Sequence, residues 1–141
     1  MDAQSHYRQQ SIETASPGQL VSMLYHGAIV AISRAESHLD LDSFELANRE
    51  LQRAQDIVTE LKVTLDFERG GVIARNLSSL YAFCLEGLIA ANLTKKIDTL
   101  DGVRATLIEL ASGWDQMLAS EILAAPTNGH VNAYRPAAAV G

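Results

Sequence analysis

The side chains in this sequence that are capable of chemistry are few and widely separated. Cys84 is the single cysteine, so it can form no internal disulfide and cannot complete the Cys-x-x-Cys-His pattern of covalent haem attachment. Glu36 and His38 are two residues apart, which is not the Glu-x-x-His spacing of a di-iron helical bundle. These spacings predict no metal ion, no cofactor and no catalytic centre.

Most of these side chains have a structural interpretation. Cys84 falls among apolar residues with no histidine near it in sequence, which predicts a buried and unreactive thiol. Met23 and His26 are one helical turn apart, and we expect a packed thioether and a solvent-facing imidazole rather than haem ligands. His38 leaves one catalytic alternative open, because four-helix phosphotransfer domains use a histidine as phosphoryl acceptor.

The composition is that of one acidic globular domain. The chain has 141 residues, of which 48% are apolar and 20% charged, and this length suffices for a single core. The net charge of −6, with no basic run longer than Lys95-Lys96, argues against nucleic acid, which requires a basic face. The N-terminus shows no secretion signal, and no apolar run approaches the roughly 20 residues of a membrane span. We therefore expect a cytoplasmic protein without membrane insertion.

Apolar residues three and four positions apart define four helical segments between Pro17 and about Leu123. Short connections near Asp42, at Gly70-Gly71 and near Asp98 join these segments. We predict an all-α fold, an antiparallel up-down four-helix bundle with an N-terminal arm and a flexible C-terminal tail. The predicted bounds are 1–15 for the arm, 16–125 for the bundle and 126–141 for the disordered tail.

The start of the first helix is specified by three residues. Ser16 is a preferred N-cap, Pro17 fits the first helical position, and Gln19 completes a capping box. Two glycines inside helical segments, Gly27 and Gly87, each cost about 0.5–1 kcal/mol relative to alanine. Close approach of a neighbouring helix is the simpler explanation, and a surface left open for another backbone is the alternative.

The third helical segment has more apolar surface than a bundle helix needs. Its main stripe is Ile73, Leu77, Leu80, Cys84, Leu88 and Ala91, and beside it lies a second stripe of Tyr81, Leu85 and Ile89. Burial on both sides explains this surface, and so does a groove that receives amphipathic helices of a partner. Self-association into a homodimer through this helix is a third interpretation. The spacing alone does not choose among them.

Four sequence blocks occur in order along most of the chain. They are Ala15-Ser16-Pro17-x-x-Leu20-x-x-Met23-Leu24-Tyr25-x-Gly27-Ala28, Ala54-x-x-Ile57-Val58-x-x-Leu61 with Leu65-Asp66, Gly70-Gly71-x-Ile73-Ala74-x-Asn76-Leu77-x-x-Leu80-Tyr81, and Ala91-Asn92 with Trp114. In this combination the sequence resembles the flagellin export chaperones, the FliS family. The family pattern often has an acidic residue after Met-Leu-Tyr, where this chain has His26.

The resemblance implies a cytoplasmic four-helix chaperone without catalytic activity. Such a protein binds the C-terminal segment of flagellin, prevents premature polymerisation and helps deliver flagellin to the type III export machinery. The resemblance also implies that the N-terminal arm covers part of the binding site, with Tyr7 and Ile12 as its apolar contacts. The residues that we expect to include flagellin contacts are Ile57, Leu61, Leu77, Tyr81, Leu85 and Ile89.

Overall fold

The computed structural model describes residues 15–123 and Tyr134. These residues form four α-helices: α1 (Pro17–Asp40), α2 (Phe44–Val63), α3 (Phe67–Thr94) and α4 (Leu100–Leu123). α1 packs against α2 and α4, and α3 packs against the same two helices. The most extensive interface joins α1 to α2, and the least extensive joins α3 to α4. The predicted all-α four-helix fold is confirmed. The predicted arm lies outside the described residues except for Ala15, and the predicted tail except for Tyr134.

The predicted capping box at the start of α1 is confirmed. The Ser16 hydroxyl accepts a hydrogen bond from the backbone N–H of Gln19 at 3.2 Å, and the Gln19 side-chain oxygen accepts one from the Ser16 backbone at 2.9 Å. A cap of this kind contributes about 1 kcal/mol. The start of α1 is therefore fixed by local chemistry.

α3 begins before the glycine pair that was expected to separate two helices. Asp66 is its N-cap, and its carboxylate accepts a hydrogen bond from the backbone N–H of Arg69 at 3.0 Å. One helical turn follows, and then Gly71 takes a φ of 50°, a left-handed conformation that favours glycine. The Gly70-Gly71 pair thus produces a kink within α3, and the Asp66 cap accounts for the extra turn before it.

The apolar residues that recur three and four positions apart in α1 (Val21, Leu24, Ala28, Ala31, Ala35, Leu39) and in α2 (Ala47, Leu51, Ala54, Val58, Leu61, with Leu65 after it) form one stripe on each helix, and both stripes face the core. In α1 every residue of the main stripe is buried except Leu24, which is half-buried. In α2 and the connection that follows it, all the stripe residues are buried. The buried residues of these two stripes are Val21, Ala28, Ala31, Ala35, Leu39, Ala47, Leu51, Ala54, Val58, Leu61 and Leu65.

The structure determines which side of α3 packs inward, a choice that the two apolar stripes left open. Ile73 and Leu80 of the expected main stripe are 63% and 38% exposed. The buried face consists instead of Ala74, Tyr81, Cys84, Leu88 and Ala91. Because α3 is apolar around most of its circumference, its periodicity does not determine which side turns inward. The inner side carries the small residues Ala74 and Ala91, and it carries Tyr81, whose phenol forms a hydrogen bond inside the bundle.

α3 is long and apolar enough to cross a membrane by length and composition alone. This differs from the expectation that no segment approaches such a size. The criterion is weak evidence, because the core helix of a soluble protein meets it as well. In this structure α3 packs between α2 and α4 as a member of the bundle.

Candidate partner-binding surface

α3 exposes more large apolar side chains than any other described helix. α2 exposes three such side chains, and α1 and α4 expose one each. Extended apolar surface of this kind is typical of a protein interaction site. The exposed apolar side chains of α3 are Phe67, Val72, Ile73, Leu80, Phe83, Ile89 and Leu93.

Three of these side chains share one side of the helix. Ile73, Leu80 and Phe83 are separated by seven and three residues, which places them in one row along α3. We call these three residues the α3 face. Phe83 is 49% exposed, and its Cζ lies 3.7 Å from the point where a Cβ on Gly102 would stand. The α3 face therefore borders α4.

The adjoining side of α4 carries small residues. Gly102, Thr106 and Gly113 are separated by four and seven residues and so lie on one side of the helix. No atom lies within 4 Å of the position that a Cβ on Gly113 would take. Among the neighbouring helices, α3 and α4 share the least extensive interface, and we call the seam between the α3 face and these small residues of α4 the trough. Glycine allows a bound backbone to come close at such a place.

The structure separates the six residues that the sequence predicted as flagellin contacts. Leu61 and Tyr81 are completely buried, and Ile89 is 46% exposed. The other three pack against the core and are half-buried, namely Ile57, Leu77 and Leu85. In this structure Leu61 and Tyr81 are core residues, so a partner meets them only after another group moves. The predicted arm contacts Tyr7 and Ile12 lie outside the described residues.

Sequence reasoning did not single out the α3 face as a site. Ile73 and Leu80 belonged to the main stripe, which was not divided into core and partner contacts, and Phe83 belonged to neither stripe. The available signal was an aromatic residue on the supposedly polar side of a helix that already had two apolar stripes. An exposed aromatic of this kind is a marker of binding surfaces.

A cluster of three phenols closes one end of the bundle. Tyr25 of α1 and Tyr81 of α3 are buried and hydrogen-bonded to each other through their hydroxyls. The hydroxyl of Tyr134 joins both, at 3.0 Å from that of Tyr25. Burial raises the pKa of all three phenols, so each keeps its proton and can donate a hydrogen bond.

Tyr134 is held by further contacts. Its side chain is 5% exposed. Its ring meets the ring of Trp114 edge-on at 85°, with 5.1 Å between the centroids. Its backbone forms an antiparallel bridge with Leu65, in the connection between α2 and α3. Trp114 also donates a hydrogen bond to the carbonyl of Gly18 at 2.8 Å, so the start of α1 lies against the same cluster.

Chemical groups elsewhere in the described residues form no catalytic arrangement. Cys84 is fully buried and unpaired, as predicted, and burial raises the pKa of its thiol to about 11. His38 is half-buried in the last turn of α1. Among residues 15–123 and Tyr134, no group of three or more His, Cys, Asp or Glu side chains is placed to hold a metal ion.

His26 pairs with an acidic residue across the bundle. Its Nε2 lies 2.8 Å from one carboxylate oxygen of Asp115 in α4, and the Ser22 hydroxyl donates to the other at 2.6 Å. Asp115 stands between the two partners, so this is not the order of a nucleophilic triad. Burial opposes ionisation of Asp115, but hydrogen bonds from Ser22 and His26 outweigh it and lower the pKa of that carboxyl.

The lowered pKa predicts a pH-dependent contribution of Asp115 to stability. A carboxyl with a depressed folded-state pKa stabilises the fold above its unfolded pKa of about 3.9, and this contribution is lost as pH falls through the folded value. We expect Asp115→Asn to reduce the free energy of unfolding near neutral pH by less than about 1 kcal/mol, since the side chain is partly exposed and solvent screens it. Urea unfolding across the acid range tests this. An effect that stays constant into strong acid contradicts it.

Comparison with known proteins assigns the family. A family model described as flagellar protein FliS matches residues 1–121. The flagellar secretion chaperone FliS of Salmonella typhimurium is 37% identical over 116 residues, which cover 79% of this chain and 86% of that protein. The flagellar secretion chaperone FliSB of Pseudomonas aeruginosa is 34% identical over 119 residues, covering 82% and 94%. FliS of Bacillus subtilis is 31% identical over 115 residues, covering 82% and 85%. On this match, and on a fold of four helices, the chain belongs to the FliS family of flagellar secretion chaperones.

Proposed function

We propose that this protein is a cytoplasmic, non-catalytic export chaperone for flagellin. It binds the disordered C-terminal segment of flagellin, prevents premature polymerisation and assists delivery to the flagellar type III export apparatus. Membership of the FliS family supports the export role. The observation that carries the binding role is the row of exposed apolar side chains on α3.

The physical demands of such a task agree with this surface. A disordered segment that orders on binding loses 2–5 kcal/mol or more of the interaction energy, and such complexes bury about 1,000–3,000 Å². A small bundle meets this demand when it offers apolar surface along a whole helix. α3 has exposed apolar residues from Phe67 to Leu93, close to its full length.

We place the flagellin segment along the trough between α3 and α4. The α3 face provides the anchors at its centre, and Ile89 lies about 120° around α3 from Phe83, so a segment that contacts it also wraps around the helix. Leu77 and Leu85 are half-buried on α3, and Ile57 lies on α2 against Gly27 of α1, so Ile57 is reached only by a segment that continues around the bundle. Leu61 and Tyr81 support the surface from the core, where both are completely buried.

Calorimetric titration with a peptide of the flagellin C-terminal segment tests this function. We expect binding at micromolar concentration or below, with a gain in peptide helicity by circular dichroism. No heat and no gain in helicity rules out the proposal. Two controls distinguish the alternatives. Mass spectrometry after incubation with phosphodonors detects phosphotransfer at His38, and sedimentation detects a homodimer that excess peptide does not dissociate.

The N-terminal arm supplies a further prediction of this function. We propose that Tyr7 and Ile12 shield apolar surface of the bundle until flagellin binds. Removal of residues 1–14 leaves the Ser16 cap intact, so α1 retains its start. We expect the shortened protein to bind more of an apolar dye and to bind the flagellin peptide more tightly. Unchanged dye binding together with unchanged affinity contradicts a shielding role.

A further inference from the structure

The cluster around Tyr134 resembles a peptide-recognition site more than an ordinary piece of core. One side chain from beyond α4 is held between Tyr81 of α3 and Trp114 of α4, and its backbone pairs with Leu65. An aromatic anchor in a pocket, together with backbone pairing, is the usual way in which a protein captures an extended segment. Here the captured residue, Tyr134, belongs to the same chain.

We call the space that Tyr134 occupies between Tyr25, Tyr81 and Trp114 the Tyr134 slot, and α3 and α4 border it. α3 and α4 share the least extensive interface among the neighbouring helices, and Tyr134 fills space between them. Tyr81 directly follows Leu80 of the α3 face, and Trp114 directly follows Gly113 of the trough. Consecutive residues of a helix stand at one level and point about 100° apart, so the Tyr134 slot lies at the level of Leu80 but on the buried side of α3, and a segment along the trough enters it only by turning inward there.

The hydroxyl cluster determines what another occupant of the slot must supply. The hydroxyls of Tyr25 and Tyr81 are hydrogen-bonded to each other as well as to Tyr134. When Tyr134 leaves, this pair keeps its mutual hydrogen bond, but one of the two O–H groups loses its acceptor, which a backbone carbonyl of the incoming segment must replace. The edge of the Trp114 ring offers a large apolar side chain of that segment an apolar wall.

We propose that Tyr134 is an internal ligand of this slot, and that the flagellin segment displaces it with a large apolar side chain of its own. This inference rests on the proposed function and adds a way in which flagellin binding is regulated. Residues 124–133 connect Tyr134 to the end of α4, and a short connection gives a tethered ligand an effective concentration of about millimolar. The resident tyrosine thus lowers the apparent affinity for weak or incorrect partners.

The size of the effect follows from the occupied fraction. The apparent dissociation constant equals the intrinsic one divided by the fraction of molecules with an open slot, so ~90% occupancy by Tyr134 weakens binding about tenfold. We therefore expect full-length Tyr134→Ala to bind the flagellin peptide about three- to tenfold more tightly than the unsubstituted protein. Asn132→Ala, two residues away, is the matched control, and we expect it to leave affinity unchanged.

Trp114 provides a second readout, because it is the single tryptophan of the chain. Its fluorescence reports the loss of the Tyr134 ring in Tyr134→Ala without any partner. On titration with a tryptophan-free flagellin peptide, the unsubstituted protein and Tyr134→Ala should converge on the same spectrum, since both then hold the peptide in the slot. Spectra that stay different at saturation show that Tyr134 remains in place and overturn the proposal.

The outcomes separate this inference from the function on which it rests. Equal peptide affinities for the unsubstituted protein and Tyr134→Ala overturn the proposed competition between Tyr134 and the peptide, but they do not contradict the chaperone function. Weaker binding by a folded Tyr134→Ala variant makes Tyr134 a support of the site and also overturns competition. No binding by either protein removes both proposals. If Tyr134→Ala does not fold, Tyr134→Phe decides, because loss of one hydroxyl should tighten binding in the same direction.

Discussion

Replacement of Leu80 and Phe83 by glutamine should abolish flagellin binding and leave the bundle folded. Both side chains are exposed on the α3 face, at 38% and 49%, so the free protein loses little buried apolar area. Glutamine is also a good helix former. Central apolar anchors of an interface are worth 2 kcal/mol or more each on truncation. The double substitution should therefore raise the dissociation constant of the flagellin peptide by about 100-fold or more.

A matched pair of substitutions elsewhere tests whether the effect is local. Val30 on α1 and Val63 on α2 are 46% and 63% exposed, and neither lies on α3. Val30→Gln with Val63→Gln removes a comparable amount of exposed apolar surface. We expect this control to bind the peptide like the unsubstituted protein in the same calorimetric titration. If the control loses affinity as strongly as the α3 variant, binding depends on general surface hydrophobicity rather than on the α3 face.

Replacement of Gly87 by alanine should destabilise the fold by about 1–3 kcal/mol. A Cβ at this position would stand 2.5 Å from the Cγ2 of Val103, which is fully buried. Valine has few alternative rotamers, so α3 and α4 must separate to relieve the contact. The Thr99 hydroxyl holds them together by donating to the Gly87 carbonyl at 2.6 Å. Urea unfolding should show a lower midpoint.

Gly27 provides the matched control for this substitution. A Cβ there would stand 3.4 Å from the Cδ1 of Ile57, which is ordinary contact with the end of a flexible side chain. Gly27→Ala should thus leave stability unchanged or raise it by up to about 1 kcal/mol, through helix propensity. The double variant Gly87→Ala with Val103→Ala should lose less free energy of unfolding than the sum of the two single losses, because the shorter side chain at 103 relieves the contact. A Gly87→Ala variant as stable as Gly27→Ala contradicts the argument.

The glycine pair shows how far the sequence could go. Both glycines were recognised as costly inside helices, and two explanations were left open. The close approach of α4 to α3 at Gly87 is the simpler explanation and is what the structure shows. That distinction depends on which residue of α4 faces Gly87, which is a matter of packing and not of local pattern.

The same limit explains the orientation of α3. In α2 the apolar residues lie on one side only, so the period predicted every buried position from Ala47 to Leu65. In α3 apolar residues surround most of the helix, and several orientations satisfy the period equally well. The hydrogen bond between Tyr25 and Tyr81 is a contact between distant positions that no local window contains.

The Tyr134 slot was beyond prediction for a related reason. The residues after Pro126 have no sustained period, so the sequence indicated only a tail. The importance of Tyr134 becomes visible when Tyr25, Tyr81 and Trp114, from three separate helices, are seen around it. The sequence prediction also missed the start of one helix. Asp66 belonged to a family block, yet its role as the N-cap of α3 was not recognised.

The unequal helix interfaces determine the order in which this protein can form during synthesis. α1 and α2 leave the ribosome first, are neighbours in sequence and share the most extensive interface, so their pairing closes a short loop and forms the largest contact surface between two helices. α3 then adds to α2, and the seam between α3 and α4 closes last with the fewest contacts to reward it. A nascent chain therefore completes its hairpin early, and the surface that we assign to flagellin is the last part of the fold to mature.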